Sequence, residues 1–293
     1  MKYAAIERSK DEFAVSRLCQ TLGVSVSGYY AWSKRAPSTR TVENNCLRDK
    51  IIQLWQQVRG IYGAPRIYAE LVAQGIQIGR HRVAKLMREA GIRGKSPRKR
   101  RPRTTQTDPT HEVAPNLLAR QFSASRPDQV WLTDITYIET QEGYLYLSGV
   151  MDMFSRQIVG MAMADHLRTE LVETALDMAI THRCPPPDLL HHSDRGSQYT
   201  SHAYRQYLRD HHLIASMSRT GDCLDNAPME SFWATLKREC ADQVFASFDQ
   251  ARTEIFRYIM GFYNRIRRHS ALGYLSPANF ERQHLRHSHT PLN

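Results

Sequence analysis

Three stretches in the rear half of the chain, QVWLTDITYIET, YLYLSGVMDMF and RQIVGMAMAD, follow one another with room only for tight turns between them. Each is dense in β-branched and aromatic residues, which suit a pleated, half-buried surface better than a helix. The turns fall at Gln141–Gly143 and at Ser155. Strands joined this closely form an antiparallel meander, because a parallel return needs a dozen or more connecting residues. After the meander the pattern alternates. ETALDMAITHR has helical spacing and PDLLHHSD reads as a short strand. SHAYRQYLRDHH is a helix with Ser201 as its N-cap, LIASMSRT is another strand, and an amphipathic helix follows. The expected product is a mixed α/β sheet covered by helices.

Acidic residues sit at informative places in this frame. Asp134 lies inside the first strand, where Val130, Leu132, Thr136 and Ile138 share its face by the two-residue period. A carboxylate in a buried strand is expensive unless a partner or cation offsets it. Asp194 follows the apolar run LLHHS at the end of a strand and precedes the polar loop RGSQYTS, a common place for sites in open α/β sheets. Glu230 opens a helix whose apolar stripe is Met229, Phe232, Trp233, Leu236 and Cys240, with Asn226 expected as its cap and Pro228 in its first turn. Glu230 and Lys237 border that stripe on one rim, about two turns apart. Three carboxylates of this kind suit divalent-ion chemistry on phosphodiesters, since Mg²⁺ takes hard oxygen ligands and two ions can serve the attacking and leaving oxygens. Lys237 is then a phosphate contact rather than a ligand. Asp152 reads as a hairpin cap or a partner of Arg156, and Asp222 and Asp225 as turn formers.

The front half has a different character. Residues 1–105 carry 22 Lys and Arg against 7 Asp and Glu, and residues 106–293 carry 18 against 22. A basic front on a mildly acidic rear points to a polyanion-binding part joined to one with another task. Phe13 to Leu22 has helical spacing, Gly23 stops it and Ser25 starts another helix, the outline of a helix-turn-helix. A second such unit runs from Leu47 to Gly91, and its last helix carries Arg82 and Lys85 around Val83 and Leu86, a basic face suited to a duplex. RGKSPRKRRPR, residues 93–103, has no apolar period, and Arg98, Lys99, Arg100 and Arg101 in it are expected along phosphates. The five cysteines are scattered and form no C-x-x-C pair, which argues against a disulfide framework and a thiolate zinc site. No apolar run is long enough for a membrane span and no secretory signal opens the chain, so a cytoplasmic protein is expected.

WLTDITYI, HHSDRGSQYTS and NAPMESFWATLKRE, which surround the three acids, resemble the signatures of DDE transposases with a retroviral-integrase-like core. More narrowly they are similar to the second reading frame product (OrfB) of the bacterial insertion-sequence family called IS-three. Thirty-five residues separate Asp194 from Glu230, as in that family, and Lys237 holds its basic position seven residues on. YNRIRRHSALGYLSPANF (Tyr263–Phe280) and YGAPRIYAEL (Tyr62–Leu71) resemble its C-terminal and upstream signatures.

The resemblance implies an α/β ribonuclease-H-like core preceded by all-α helix-turn-helix units. The segments are then 1–45, a first helix-turn-helix; 46–103, a second with the basic arm; 104–122, a linker; and 123–285, the catalytic core. It implies Asp134, Asp194 and Glu230 as catalytic metal ligands, with Mg²⁺ (or Mn²⁺ as substitute), two ions in all. It further implies cleavage and strand transfer at element ends by a homo-oligomer on transposon-end and target DNA. A frameshift fusion with the upstream-frame product is a further implication. A DNA-binding regulator that does not cut, and a ribonuclease H or repair nuclease, are the alternative readings.

Overall fold

The computed structural model describes residues 2–96, 113–219 and 223–288, which fall into two compact units meeting between Arg93 and Gly94. The first unit is helical. It comprises α1 (Lys2–Ser9), α2 (Val15–Leu22), α3 (Val26–Ser33), α4 (Thr39–Gln57), α5 (Ala64–Ala73) and α6 (Arg80–Glu89). Gly23 ends α2 in the left-handed conformation at φ 61°, and the Ser25 hydroxyl accepts from the Gly28 amide to start α3. Ile6, Cys19 and Tyr29 form the small core of α1–α3, so the first helix, not anticipated from the residue pattern, is what buries the helix pair's apolar face. Ile51, Leu54, Ile67, Leu71, Val83, Leu86 and Met87 are buried in α4–α6 at helical spacing.

The second unit is built on a five-stranded sheet. β1 (Val130–Thr140), β2 (Gly143–Asp152) and β3 (Ile158–Ala164) form the expected meander. α7 (Thr169–Arg183), β4 (Leu190–Ser193), the short α8 (Ser197–Thr200), α9 (His202–Asp210) and β5 (Ile214–Met217) follow. The sheet order is β3-β2-β1-β4-β5, with the meander antiparallel and β1–β4–β5 parallel. α7 packs on one face, where Trp131, Val150 and Val159 meet Ala175, Leu176 and Ala179. A glycine is required at 160, since a Cβ there would stand 2.1 Å from the Ala175 carbonyl oxygen.

α10 (Ala227–Glu239) lies against the other face: a Cβ on Gly149 would stand 2.9 Å from the Trp233 ring. The chain closes with α11 (Phe248–Phe256), a π-helical stretch Arg257–Tyr263, a 3₁₀ turn and α12 (Pro277–Ser288). This C-terminal part grips the core through buried polar groups. The Asn264 side chain accepts from the Ile158 amide at 2.9 Å and donates to its carbonyl at 2.8 Å, pairing as a neighbouring strand would. Arg183 joins α7 to Glu281 of α12 in a two-pronged bond and to Asp128 ahead of β1. Lys95, just inside the second unit, bonds the Glu239 carbonyl and Asp242.

Candidate active site

β4 pairs with β1 only along Val130–Leu132, whereas β1 runs on to Thr140. Asp134 stands two residues past that ladder, opposite Gly149 on β2. Its side chain accepts from the Ile135 amide at 2.8 Å and from the Trp233 indole N–H at 3.0 Å. The missing side chain at Gly149 lets Trp233 come this close to the sheet. Burial pushes the Asp134 carboxyl up to about 8, and the charges of Asp194 and Glu230 push in the same direction. One carboxyl, in other words, feels both of the other acids singled out from the sequence.

Asp194 directly follows β4, and its Oδ1 accepts from the Gly196 amide at 2.9 Å, closing the tight turn into α8. Glu230 lies in the first turn of α10 and is exposed. Pro228 sits in that turn as expected. Asn226 does occupy the N-cap position, yet it makes no cap bond. Its Nδ2 instead donates to the Thr133 carbonyl at 2.9 Å, tying the start of α10 to the residue before Asp134. The buried stripe of α10 also differs from the expectation at its end. It continues from Leu236 to Glu239, with Cys240 only half-buried, because Glu239 receives Arg267 at 2.7 Å from both Nε and Nη2.

Beneath the acids, the buried Tyr199 hydroxyl lies 3.3 Å from Thr133 Oγ1, and burial pushes that phenol well up. Asp225 is a buried hub rather than a simple turn former. It accepts from the Arg219 amide and guanidinium, from Arg120 and from Asn116, and the Arg219 bond leads in holding its carboxyl well below the usual range. Asp222 lies outside the described residues. Asp152 is the hairpin cap: it accepts from the Ser155 amide and hydroxyl and from the Asp128 amide, while Arg156 donates to the Phe122 carbonyl. His191 and His192 are buried in β4, bonded to Tyr204 and to Ser216 and Ser218. Among the described residues no group of three or more His, Cys, Asp and Glu side chains is gathered closely enough to hold a metal ion by itself.

The residues expected at DNA separate by environment. Lys237 holds its ammonium 4.5 Å above the Tyr137 ring. On α6, Lys85 is exposed beside Glu89 at 3.7 Å, whereas Arg82 is drawn back onto α4 by Asn44 at 2.8 Å and Glu43 at 3.1 Å. Arg80, His81 and Arg88 share the exposed side of that helix with Lys85. Arg98, Lys99, Arg100 and Arg101 lie outside the described residues. Tyr137, Tyr199 and the bond of Asn226 to Thr133 escaped the sequence reading; only the two-residue period of β1 hinted at Tyr137, by placing it on the face away from Asp134.

A meander continued by two parallel strands, with acids at the centre of β1, after β4 and on α10, defines an integrase-core enzyme, a polynucleotidyl transferase. Family models agree: two described as "Integrase core domain" match residues 124–223 and 212–277, and one described as "HTH-like domain" matches residues 43–100. The chain is 46% identical over 268 residues to the "Insertion element IS600 uncharacterized 31 kDa protein" of Shigella sonnei, covering 91% of this chain and 98% of that one. It is 40% identical over 288 residues to "Transposase InsF for insertion sequence IS3A" of Escherichia coli strain K12, covering 97% and 100%. The chain therefore belongs to the insertion-sequence transposase family, whose reaction is DNA strand cleavage and transfer in transposition. Among solved structures, the HTLV-2 integrase catalytic core domain in complex with magnesium aligns at a TM-score of 0.42 and 15% identity, over 54% of this chain and 99% of that one.

Proposed function

We propose that Asp134, Asp194 and Glu230 are the catalytic carboxylates of this transposase and the ligands of its divalent metal. The observation that carries this is the electrostatics of Asp134, whose carboxyl is raised by burial and by both other acids. Negative groups crowded in this way favour a cation among them, and the donor set of carboxylate oxygens suits Mg²⁺, with Mn²⁺ as a substitute. Asp134 and Asp194 are fixed by backbone amides, and Glu230 is presented on the exposed side of α10. Two bound ions would supply Lewis-acid charge at the scissile phosphate and an activated oxygen nucleophile. The protein's own share is positioning: Trp233 orients Asp134, Gly196 orients Asp194 and Asn226 seats the helix that carries Glu230. Lys237 would meet a phosphate beside the acids, and Lys85, Arg98, Lys99, Arg100 and Arg101 would meet phosphates of the duplex. We extend the proposal to a homo-oligomer that holds two DNA ends in the cytoplasm, with the upstream-frame product joined as a fusion. No described helix is long and apolar enough to cross a membrane.

The test is strand nicking of labelled element ends with Mg²⁺. Glu230→Gln keeps the size and hydrogen-bonding capacity of an exposed side chain, so its thermal unfolding should match that of the wild-type chain while nicking is lost. Undiminished nicking by a folded Glu230→Gln protein would refute the assignment of Glu230.

A further inference from the structure

β1 does more past Asp134 than carry one carboxylate. Tyr137 and Tyr144 stand on the same face of the β1–β2 ladder, one diagonal step apart, because Tyr137 pairs with Tyr146 and Tyr144 with Glu139. Their rings meet edge to face at 5.2 Å with an interplanar angle of 73°. They are 37% and 47% exposed, whereas Leu145 and Leu147 on the opposite face of β2 are fully buried. An exposed aromatic pair could simply cover a sheet, but here a third group engages it. Lys237 comes from α10, on the sheet's other face, to hold its ammonium 4.5 Å over the Tyr137 ring. That reach follows from the topology. β4 stops pairing at Leu132, so the stretch of β1 carrying Asp134 and Tyr137 is not covered by a neighbouring strand on that side until Thr140 bridges Phe245. Two aromatic rings, one on β1 and one on β2, and an ammonium thus meet on the face of the β1–β2 ladder opposite Asp134, three residues along β1 from that acid and two helical turns from Glu230.

We infer that Tyr137 and Tyr144 form a stacking platform for an unpaired base of the DNA strand whose phosphate lies at the carboxylates, with Lys237 gripping the adjoining phosphate. The inference rests on the proposed role of the three acids. Its chemistry is that of single-strand recognition, in which rings stack on bases of any sequence and cations track the backbone. Inside a paired duplex each base face is covered by its neighbours, so the platform selects DNA whose end is melted or overhanging. The ammonium rests on the Tyr137 ring because the ring face attracts positive charge; a base stacking on that face would displace it towards the adjoining phosphate.

The experiment measures binding of the full-length protein to a short duplex with a single-stranded extension, and to the same duplex with abasic sites in that extension. Removing the bases should weaken the wild-type protein by roughly 5- to 100-fold, the range of one stacked base. Tyr137→Ala should bind the intact extension as weakly as the wild type binds the abasic one, and should lose little more when the bases are removed. Tyr137→Phe should restore the base dependence. A merely structural Tyr137 that positions Lys237 would weaken both DNAs equally, and an abasic penalty undiminished in Tyr137→Ala and in Tyr144→Ala would overturn the platform. Metal-dependent nicking by these variants, set beside Glu230→Gln, separates the two readings. If the platform alone is wrong, nicking still depends on Glu230. If the carboxylate assignment is wrong, nicking persists in Glu230→Gln whatever the tyrosines do.

Discussion

Arg267→Met tests how α10 is held. Glu239 at the end of that helix is 5% exposed and Arg267 is 3% exposed. Arg267 makes two bonds of 2.7 Å to the carboxylate; Tyr258 adds one at 2.8 Å and Arg238 one at 3.1 Å. Removing one partner of a buried ion pair costs about 3–5 kcal/mol, because the remaining charge stays buried. Two of the four donors survive here, so the loss should fall at the lower end, about 3 kcal/mol. In a unit of this size that is a drop of roughly 6–12 °C in Tm.

The pH dependence supplies an internal control. Burial pushes the Glu239 carboxyl up, but the Arg267 bonds outweigh it and the net value is lowered. In the wild type this contribution is therefore present above pH 4.5, where glutamate ordinarily titrates, and is lost as pH falls through the lower folded-state value. In Arg267→Met the burial is less opposed, so the folded state gains by protonation and the deficit should shrink as pH falls from about 7 to about 4. Thermal and urea unfolding of the full-length chain at several pH values measures both effects. A loss below about 1 kcal/mol, the size of an exposed pair, or a deficit that does not change with pH, would refute the reasoning.

Two further outcomes follow from other buried positions. His191 and His192 are pushed down by burial to about 3 and about 4, so the folded chain keeps them neutral. The stability they contribute is fully present above pH 6.5 and is lost as pH falls towards those values, at about 1.4 kcal/mol per pH unit for each histidine; a flat stability curve between about pH 6.5 and 5 would contradict this. Gly160→Ala would press a methyl group into the Ala175 carbonyl and the Ala179 amide, 2.1 and 2.9 Å away. Separating β3 from α7 should cost about 1–3 kcal/mol or more, and an unchanged Tm would show that α7 does not pack as described.

The sequence made legible what depends on local periodicity and on turn chemistry. The meander, the alternation after it, Gly23, Ser25 and Ser201 all act through neighbours in the chain, and each stands where its spacing placed it. Asp134 was legible because a charge inside an apolar strand needs a reason. What escaped depends on partners far along the chain. Arg82 has the spacing of a duplex-facing residue, but Glu43 and Asn44, nearly forty positions earlier, claim its guanidinium. Asn226 has the composition and place of a cap, yet Thr133 lies within its reach only after folding. The 3.6-residue period fails outright in Arg257–Tyr263. There the Asn264 amide bonds the Ile259 carbonyl five residues back, so that Tyr258 and Tyr263 can both turn inward.

These long-range bonds explain why the C-terminal signature belongs to the same apparatus as the acids. The side chain of Glu230 can present its carboxylate towards Asp134 only if α10 has one rotation about its own axis. A single tether would leave that rotation soft. α10 has three: Asn226 binds β1 ahead of the helix, Trp233 donates to Asp134 on β1, and Glu239 binds Arg267 at the helix end, about two and a half turns past Glu230. Arg267 is positioned in turn by Asn264, three residues before it, clamped to the backbone of β3. The helix is thereby referred at both ends to the same sheet that carries Asp134. Precision of this kind comes from buried, directional bonds rather than from apolar contact, which would tolerate a slipped helix. Buried residues can therefore govern the carboxylate proposed here as catalytic, and substitutions at Asn226, Asn264 or Arg267 should act on strand cleavage through the setting of Glu230.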